Sequence, residues 1–227
     1  MRAAFFLLPL ALFAKDYLVT APRSGTHFML YSLEYLTKRP WHVGGQKTTW
    51  KWFDLGADPN NEHFIHTHNF LRTRYKQEEG DRMLLIVRNY REAITRHFQD
   101  FDKTLKNIEG NCDYFANLNT YEKWPEDSRL LVYYEDLMKD PESHLRKILH
   151  FLKEDTKYLT RYIEDYDYHR ERLIRYYRRM GGAQSEGKDM QFHTKKMTPE
   201  QIMQLDEAVQ ERHPDLFAKY LTHYQYN

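Results

Sequence analysis

Short apolar segments alternate along the chain with segments of helical spacing, and this alternation restricts the fold more than any other feature. The apolar segments span residues 16–21, 63–67, 83–88 and 129–134. The last two are apolar in continuous runs rather than at every second position, which is typical of strands buried on both faces of a parallel sheet. The sequence therefore predicts an α/β fold, a three-layer sandwich with a central, mostly parallel sheet flanked by helices.

Helical patterns lie between and after these strands. Residues 26–37 follow a glycine-containing turn, residues 91–105 follow the third strand, and residues 141–152 begin with a proline at a first helical position. Thr198 precedes Pro199, which is the order of an N-cap and a first helical turn. Because folds of this class bind ligands at the carboxyl ends of their strands, we expect the functional residues there.

Length and composition bound the class of protein. The 227 residues suit one domain with a sizeable core, and 41% hydrophobic with 30% charged residues is an ordinary globular composition. The net charge of +1 gives no overall attraction to nucleic acid, although a local basic patch can bind a small anion. We expect one domain over residues 15–227 and no nucleic-acid partner, and the sequence leaves the oligomeric state open.

Residues 1–14 contain one arginine followed by a nearly continuous apolar run. The run is shorter than the roughly 20 apolar residues that cross a bilayer, so no spanning helix is expected. Two interpretations stay open, the hydrophobic region of an export signal or a segment packed on the domain. Cys112 is the single cysteine, which excludes an internal disulfide and favours a reducing compartment such as the cytoplasm.

The segment after the first strand has the composition of an anion-binding loop. It reads APRSGTHF over residues 21–28 and leads into a predicted helix, whose N-terminal N–H groups and dipole favour an anion. Gly25 lets the backbone approach a ligand, Arg23 adds a positive charge, and Ser24 and Thr26 add hydroxyl donors. No lysine follows the glycine, so the GxxxxGK[ST] pattern of triphosphate-binding loops is absent. Considered by itself, the segment also fits an ordinary turn between a strand and a helix.

This loop resembles the 5′-phosphosulfate loop of sulfotransferases that use 3′-phosphoadenosine 5′-phosphosulfate (PAPS), whose usual form is P-[KR]-[ST]-G-[TS]-[TS]. The resemblance implies a P-loop-like fold in which Arg23 stabilises the bridging oxygen of the leaving group. It also implies that Ser24, Gly25, Thr26 and His27 hold the 5′-phosphosulfate. Phe28 stands where many members have a tryptophan that stacks on adenine, and His27 replaces the usual second threonine.

A histidine pair follows in the segment NEHFIHTHNFL, residues 61–71. Its core resembles the K-T-H-L-P segment of the same family, in which the histidine is the general base. His68 matches that base, and histidine has a suitable pKa for the task. His66 lies on the same strand face as His68, so a zinc pair and a structural pair are alternatives. No third ligand is evident, and we expect no metal.

The segment LLIVRNYREAITRHF, residues 84–98, resembles the family's 3′-phosphate motif. Arg88 matches the arginine that pairs with the 3′-phosphate, a task that suits a guanidinium. The alternative for Arg88 is a surface salt bridge. The family's phosphate-binding serine, eight residues after that arginine, is replaced by Arg96, which Thr95 precedes. The sequence leaves open which of the two contacts the phosphate.

The rest of the chain resembles the family less closely. Residues 131–152 match its V-x-Y-E-D-L stretch, where we interpret Glu135 and Asp136 as helix-start caps and loop hydrogen-bond acceptors rather than a catalytic pair. Arg179 and Gly181 are candidates for the family's cofactor-closing R-K-G turn, with a solvated basic helix face as the alternative.

The order of the motifs predicts an enzyme that transfers a sulfonate group from PAPS, as co-substrate, to a hydroxyl or amine by in-line displacement, with His68 as base and Arg23 at the leaving group. The acceptor, a small molecule or a glycan, is not readable. Aromatic residues at 41–42, 50–53 and 114–115 fit an acceptor pocket or the core equally well. A P-loop-like kinase and a catalytically inactive nucleotide binder stay open as alternatives.

Overall fold

The fold is built on one parallel sheet. The computed structural model describes residues 14–43, 53–110, 112–179 and 194–224. The strands are β1 Asp16–Thr20, β2 Trp41–Val43, β3 Phe64–Thr67, β4 Arg82–Val87 and β5 Arg129–Tyr133. They lie in the order β2-β3-β1-β4-β5, and all their pairings are parallel. β1 is therefore central, and the carboxyl ends of β3, β1 and β4 meet at one edge of the sheet.

Helices cover both faces of this sheet. The α-helices within the described residues are α1 Thr26–Thr37, α2 Tyr90–Phe98, α3 Phe101–Glu109, α4 Asp113–Lys123, α5 Tyr134–Lys139, α6 Pro141–Phe151, α7 Leu159–Glu164, α8 Tyr166–Arg179, α9 Pro199–Arg212 and α10 Pro214–Leu216. In the described part of the chain, no helix has the length and apolar character needed to traverse a membrane. The N-terminal segment, residues 1–14, lies outside the described residues except for Ala14.

Alternate residues of the central strands pack against helices on opposite faces. Tyr17 and Val19 of β1 and Leu85 of β4 pack with α2, α3, α4 and α9. Leu18 of β1 and Leu84 of β4 pack with α1, α6 and α7 on the other face. Both faces of the sheet are buried under helices, which explains the continuous apolar runs. This confirms the predicted α/β fold with a parallel sheet between helical layers.

The predicted helix over residues 91–105 is two helices. Gln99 adopts a left-handed conformation with φ 58°, and its N–H donates to the Thr95 carbonyl at 2.7 Å, which ends α2. The Asp100 carboxylate then accepts from the Lys103 N–H at 2.8 Å and begins α3. Apolar residues continue at helical spacing across the break, so periodicity alone does not reveal it.

The other elements agree with those predicted from the sequence or differ from them for a simple physical reason. α1 has the predicted bounds, and α6 ends one residue before the predicted end. Thr198 caps α9 in a capping box with Gln201. β2 was not predicted, because three residues are too few to show a strand pattern.

Candidate active site

The loop between β1 and α1 has the geometry of an anion cradle. Arg23 and Gly25 both adopt positive φ, 69° and 88°, and the Ser24 N–H donates to the Ala21 carbonyl at 3.1 Å. Gly25 is the N-cap of α1, and no side chain caps the helix there. Gly25 has no side chain that could cap the first N–H groups of α1, and the first turn carries no acidic residue that would repel an anion.

Ser24 gives a second, independent indication of a ligand. Its side chain is buried, and its hydroxyl has no hydrogen-bond partner among the residues that the structure describes. A buried polar group left in this state costs about 1–3 kcal/mol. The loop thus carries a buried hydroxyl donor that an acceptor such as a phosphate or sulfate oxygen would satisfy.

Tyr134, the first residue of α5, covers this loop. A Cβ on Gly25 would lie 2.4 Å from two carbon atoms of the Tyr134 ring, so only glycine fits beneath it. The ring also meets Phe28 edge to face, with centroids 6.5 Å apart. The sequence analysis interpreted Glu135 and Asp136 in this segment and missed the Tyr134 ring. The signal was its position at the carboxyl end of β5.

Arg88 lies at the carboxyl end of β4 and reaches the same loop. Its Nη1 donates to the Arg23 carbonyl oxygen at 3.1 Å, and its guanidinium carbon lies 5.3 Å from the centre of the Tyr134 ring. Arg88 is buried and lies 3.8 Å from the Glu92 carboxylate and 4.0 Å from that of Glu135. The surface salt bridge considered for Arg88 is therefore wrong, since the residue and its ion-pair contact with Glu92 are buried.

More positive charge surrounds the Tyr134 ring. Burial raises the pKa of Tyr134, and the charges of Arg88, Arg170 and Arg96 act in the opposite direction. Arg170 belongs to α8 and was not singled out from the sequence, since nothing in the helical pattern distinguishes it from its basic neighbours. Three arginines from different parts of the chain thus lie near enough for their charges to act on the Tyr134 side chain.

The remaining nucleotide-binding candidates fall in different places. The Thr95 hydroxyl donates to the Met197 sulfur at 3.8 Å, whereas Arg96 acts on Tyr134. The backbone of Arg179 ends α8, but its side chain and Gly181 lie outside what the structure describes.

Glu135 and Asp136 are not helix caps. α5 begins at Tyr134 without a side-chain cap. Glu135 instead accepts hydrogen bonds from the Asn89 N–H at 3.0 Å and from the Tyr224 hydroxyl at 3.1 Å. The part of the interpretation that made Glu135 a hydrogen-bond acceptor is confirmed, and the part that made the two residues caps is wrong.

His68 follows β3 at the same edge of the sheet. Its Nδ1 lies 2.8 Å from the Thr20 carbonyl oxygen, and its own carbonyl accepts from the Asn117 amide at 2.8 Å. Because a carbonyl oxygen only accepts, Nδ1 carries the hydrogen, and the neutral ring has its lone pair at Nε2. His68 is exposed, so this lone pair belongs to a side chain that a substrate can reach.

Three further histidines lie near His68. The His66 ring is buried with its centroid 4.8 Å from that of His68, and burial together with the charges of His68 and His27 lowers the pKa of His66 well below 6.5. Burial, His68 and Arg23 lower the pKa of His27 to about 4. Desolvation and Arg23 also lower the pKa of His97. Among the described residues, no three His, Cys, Asp or Glu side chains are grouped to hold a metal ion.

A pocket of about 180 Å³ opens beside this histidine group. Its lining residues are Ala21, Pro22, Arg72, Ala93, Ile94, His97, Phe98, Asn107, Cys112, Asp113 and Tyr114. At its rim Arg72 pairs with Asp113 at 3.0 Å. His97 connects the pocket to the loop, since the charges of both Arg23 and His68 act on it.

The aromatic residues considered for an acceptor pocket belong mostly to the core. Trp41 and Phe53 are buried on the α1 face of the sheet, and Tyr114 and Phe115 are buried on the opposite face. Only Tyr114 among these four also lines the pocket. Residues 50–52 lie outside the described part of the chain.

Comparison with known proteins agrees with this architecture. Residues 16–217 match the family model described as the sulfotransferase domain. A comparison with curated proteins finds no match. A mouse sulfotransferase complexed with PAP is similar in structure, with a TM-score of 0.59 and 17% identity over 93% of this chain and 88% of that chain.

Retinol dehydratase is a second structural relative. Its complex with retinol and PAP has a TM-score of 0.62 and 14% identity, and its complex with androsterone and PAP a TM-score of 0.59 and 14% identity. Both alignments cover 88% of this chain and 81% of the other. At such identities the structures show a shared fold, whereas the family model spans most of the sequence. The chain therefore belongs to the sulfotransferase domain family.

Proposed function

We propose that this sulfotransferase takes its sulfonate group from PAPS and transfers it to a hydroxyl or amine of its acceptor. The observation that carries the proposal is the contact of Arg88 with the loop at Ser24 and Gly25, in which its guanidinium donates to the Arg23 carbonyl at 3.1 Å. A nucleotide with a phosphate at each end requires such a pairing of two anion sites. The similar structures contain PAP, which supports the same class of nucleotide here.

The loop and His68 have separate roles in the proposed reaction. His68 Nε2 accepts the proton of the acceptor hydroxyl as its oxygen attacks sulfur. The bond from sulfur to the bridging phosphate oxygen breaks, and Arg23 with the N–H groups at the start of α1 stabilises the charge on that oxygen. The mechanism assigns no step to a metal ion.

The adenosine end is assigned to the cleft below Tyr134. Arg88 is already close to two carboxylates, so a 3′-phosphate there needs further positive charge, and we assign this role to Arg96 and Arg170. Tyr134 and Phe28 offer aromatic surfaces to the adenine ring. Thr95 is assigned no contact, because its hydroxyl is directed at Met197.

The pocket beside His97 is proposed to receive the acceptor. The Arg72 guanidinium and the Asp113 carboxylate offer donors and acceptors at its rim. Among the described residues the Asn107 side chain donates to the Lys103 carbonyl and its amide oxygen has no donor, which leaves that oxygen to accept. The described lining encloses about 180 Å³, whereas sites for drug-sized ligands span roughly 300–1,000 Å³. These features favour a compact acceptor with several hydroxyl groups, such as one sugar ring, over an extended apolar alcohol.

Nucleotide binding tests the proposal without knowledge of the acceptor. In calorimetry, the protein is expected to bind adenosine 3′,5′-bisphosphate at least tenfold more tightly than adenosine 5′-monophosphate, about 1.4 kcal/mol. Arg88→Ala should remove this preference, whereas Arg146→Ala, an exposed arginine on α6, should keep it. Equal affinity of the unaltered protein for both nucleotides contradicts the assignment of the 3′-phosphate site.

Transfer of radiolabelled sulfonate from PAPS tests the chemistry. An acceptor panel of monosaccharide glycosides, simple phenols and long apolar alcohols should be sulfated best in its first class, and His68→Ala should lose at least a hundredfold in kcat. Nucleotide binding with no transfer to any class favours an inactive binder. Phosphoryl transfer from ATP with Mg²⁺ in place of sulfonate transfer favours a kinase.

A further inference from the structure

A chain of three side chains runs from β3 to the phosphate-binding loop. His66 Nε2 lies 3.1 Å from the Thr20 hydroxyl oxygen, which lies 2.7 Å from the Thr26 hydroxyl oxygen. The relative exposures of the three residues are 4%, 0% and 7%, so water does not compete for these hydrogen bonds. Neither Thr20 nor His66 has a role in the chemistry described above.

The chain has two possible directions, because each hydroxyl carries one hydrogen. In one direction Thr26 donates to Thr20 and Thr20 donates to His66, so that Thr26 presents only lone pairs to the loop. In the other, His66 Nε2–H donates to Thr20, Thr20 donates to Thr26, and the Thr26 hydrogen is directed at the loop. An anion in the loop accepts only from the second arrangement.

His66 is a suitable end point for such a chain. Burial lowers its pKa, so the ring is neutral near pH 7 and carries its hydrogen on one nitrogen only. Reversal of the chain moves that hydrogen from Nδ1 to Nε2 of the same ring and rotates two hydroxyl groups. The numbers of protons and charges in the protein are unchanged.

Thr20 also acts through its backbone. Its carbonyl oxygen accepts from His68 Nδ1 at 2.8 Å, which leaves the lone pair of His68 at Nε2. One residue therefore contacts the proposed base through its carbonyl and the loop through its hydroxyl. The side-chain contact can be removed without changing the backbone contact.

We propose that Thr20 and His66 are positioning residues that direct the Thr26 hydroxyl at the 5′-phosphate of the nucleotide, so that occupation of the loop sets the tautomer of His66. The inference rests on the proposed function in that it requires a phosphate in this loop. It adds that the tautomer of His66, on β3 next to the proposed base, depends on whether an anion is bound in the loop.

The direct test is nitrogen NMR of the unaltered protein labelled at histidine, titrated with adenosine 3′,5′-bisphosphate. Saturation is expected to give His66 the shifts of the tautomer protonated at Nε2. If the nucleotide binds by calorimetry and the His66 shifts stay those of the free protein, or show Nδ1–H, this inference is wrong while the proposed function stands. If the nucleotide does not bind, the proposed function itself is contradicted.

Variants at Thr20 provide a second test. Thr20→Val keeps the shape and backbone but removes the hydroxyl that orients Thr26, and should weaken binding of adenosine 3′,5′-bisphosphate by up to about tenfold, the effect of one lost hydrogen bond between neutral groups. Thr20→Ser keeps the hydroxyl and should restore most of the affinity. Equal affinities of the two variants overturn the proposal. Should Thr20→Val not fold, His66→Gln, which keeps an amide donor, against His66→Leu gives the same comparison.

Discussion

Gly25 is constrained by its backbone and by its neighbour. Its φ of 88° lies in the left-handed region that residues with a Cβ rarely adopt, and the Tyr134 ring occupies the space that a Cβ would need. The first constraint shapes the loop around an anion, and the second lets an aromatic ring close over it. A sequence pattern reveals the first of these constraints but not the second.

We therefore predict that Gly25→Ala weakens binding of adenosine 3′,5′-bisphosphate by at least tenfold, because the loop or the Tyr134 ring must move. Calorimetry measures this change. Gly56→Ala is the matched control, since Gly56 also has positive φ, 76°, but no atom of the described residues lies within 4 Å of an added Cβ. The control should lose about 1 kcal/mol of stability and no nucleotide affinity. Unchanged affinity in Gly25→Ala contradicts the prediction.

The lowered pKa values of the histidines near the loop predict a pH-dependent stability. The pKa of His27 is lowered from 6.5 to about 4 by burial, His68 and Arg23. Between these pH values the unfolded chain binds more protons than the folded protein, so the free energy of unfolding falls as the pH is lowered through this range. His27 contributes at most about 1.4 kcal/mol per pH unit to that slope.

His27→Asn is predicted to reduce the slope of the free energy of unfolding against pH, as measured by urea denaturation at several pH values between 4 and 7. His150→Asn, at an exposed position on α6, should leave the slope as it is. If His27→Asn leaves the pH dependence of the free energy of unfolding unchanged, the His27 ring is not its cause.

At the scale of elements, the break between α2 and α3 determines where the proposed acceptor pocket lies. Ile94 and Phe98 of α2 and Asn107 of α3 line that pocket, so one continuous helix would carry Asn107 away from it. The break is local chemistry, a left-handed Gln99 followed by the Asp100 cap. Periodicity could not predict it, because apolar residues keep their spacing across both helices.

The cap at Gln99 offers a test of this explanation. Gln99→Gly should raise the free energy of unfolding by about 1 kcal/mol, because glycine adopts the left-handed conformation at lower cost. Gln204→Gly, at an exposed position inside α9, should have the opposite sign, a loss of about 0.5–1 kcal/mol. Urea denaturation compares the two. A loss of stability at Gln99 would show that its backbone conformation is not the one described.

At the scale of the whole molecule, the sequence predicts which edge of the sheet carries the site. Each of the first three predicted strands runs into a motif, and parallel strands bring their carboxyl ends together, so we expect the loop, His68 and Arg88 at one edge of the sheet, where His68 contacts Thr20 and Arg88 contacts Arg23. The contacts of Tyr134 with Gly25 and of Arg170 with Tyr134 were not predictable. They depend on how α5 and α8 pack against the sheet, and no short sequence pattern encodes that packing.

The residues of the proposed nucleotide site come from the sheet edge and from both helical layers. A ligand that contacts all of them should therefore stabilise the entire fold. At a concentration of adenosine 3′,5′-bisphosphate one hundred times its Kd, binding adds about 2.7 kcal/mol to the free energy of unfolding. For a chain of this length that corresponds to a rise in Tm of about 5–11 °C in differential scanning calorimetry. Adenosine without phosphates, at the same concentration, should raise Tm far less, since it leaves both anion sites empty. Arg88→Ala should reduce the shift seen with the bisphosphate, and an undiminished shift in that variant would mean that the nucleotide binds without its 3′-phosphate in the cleft below Tyr134.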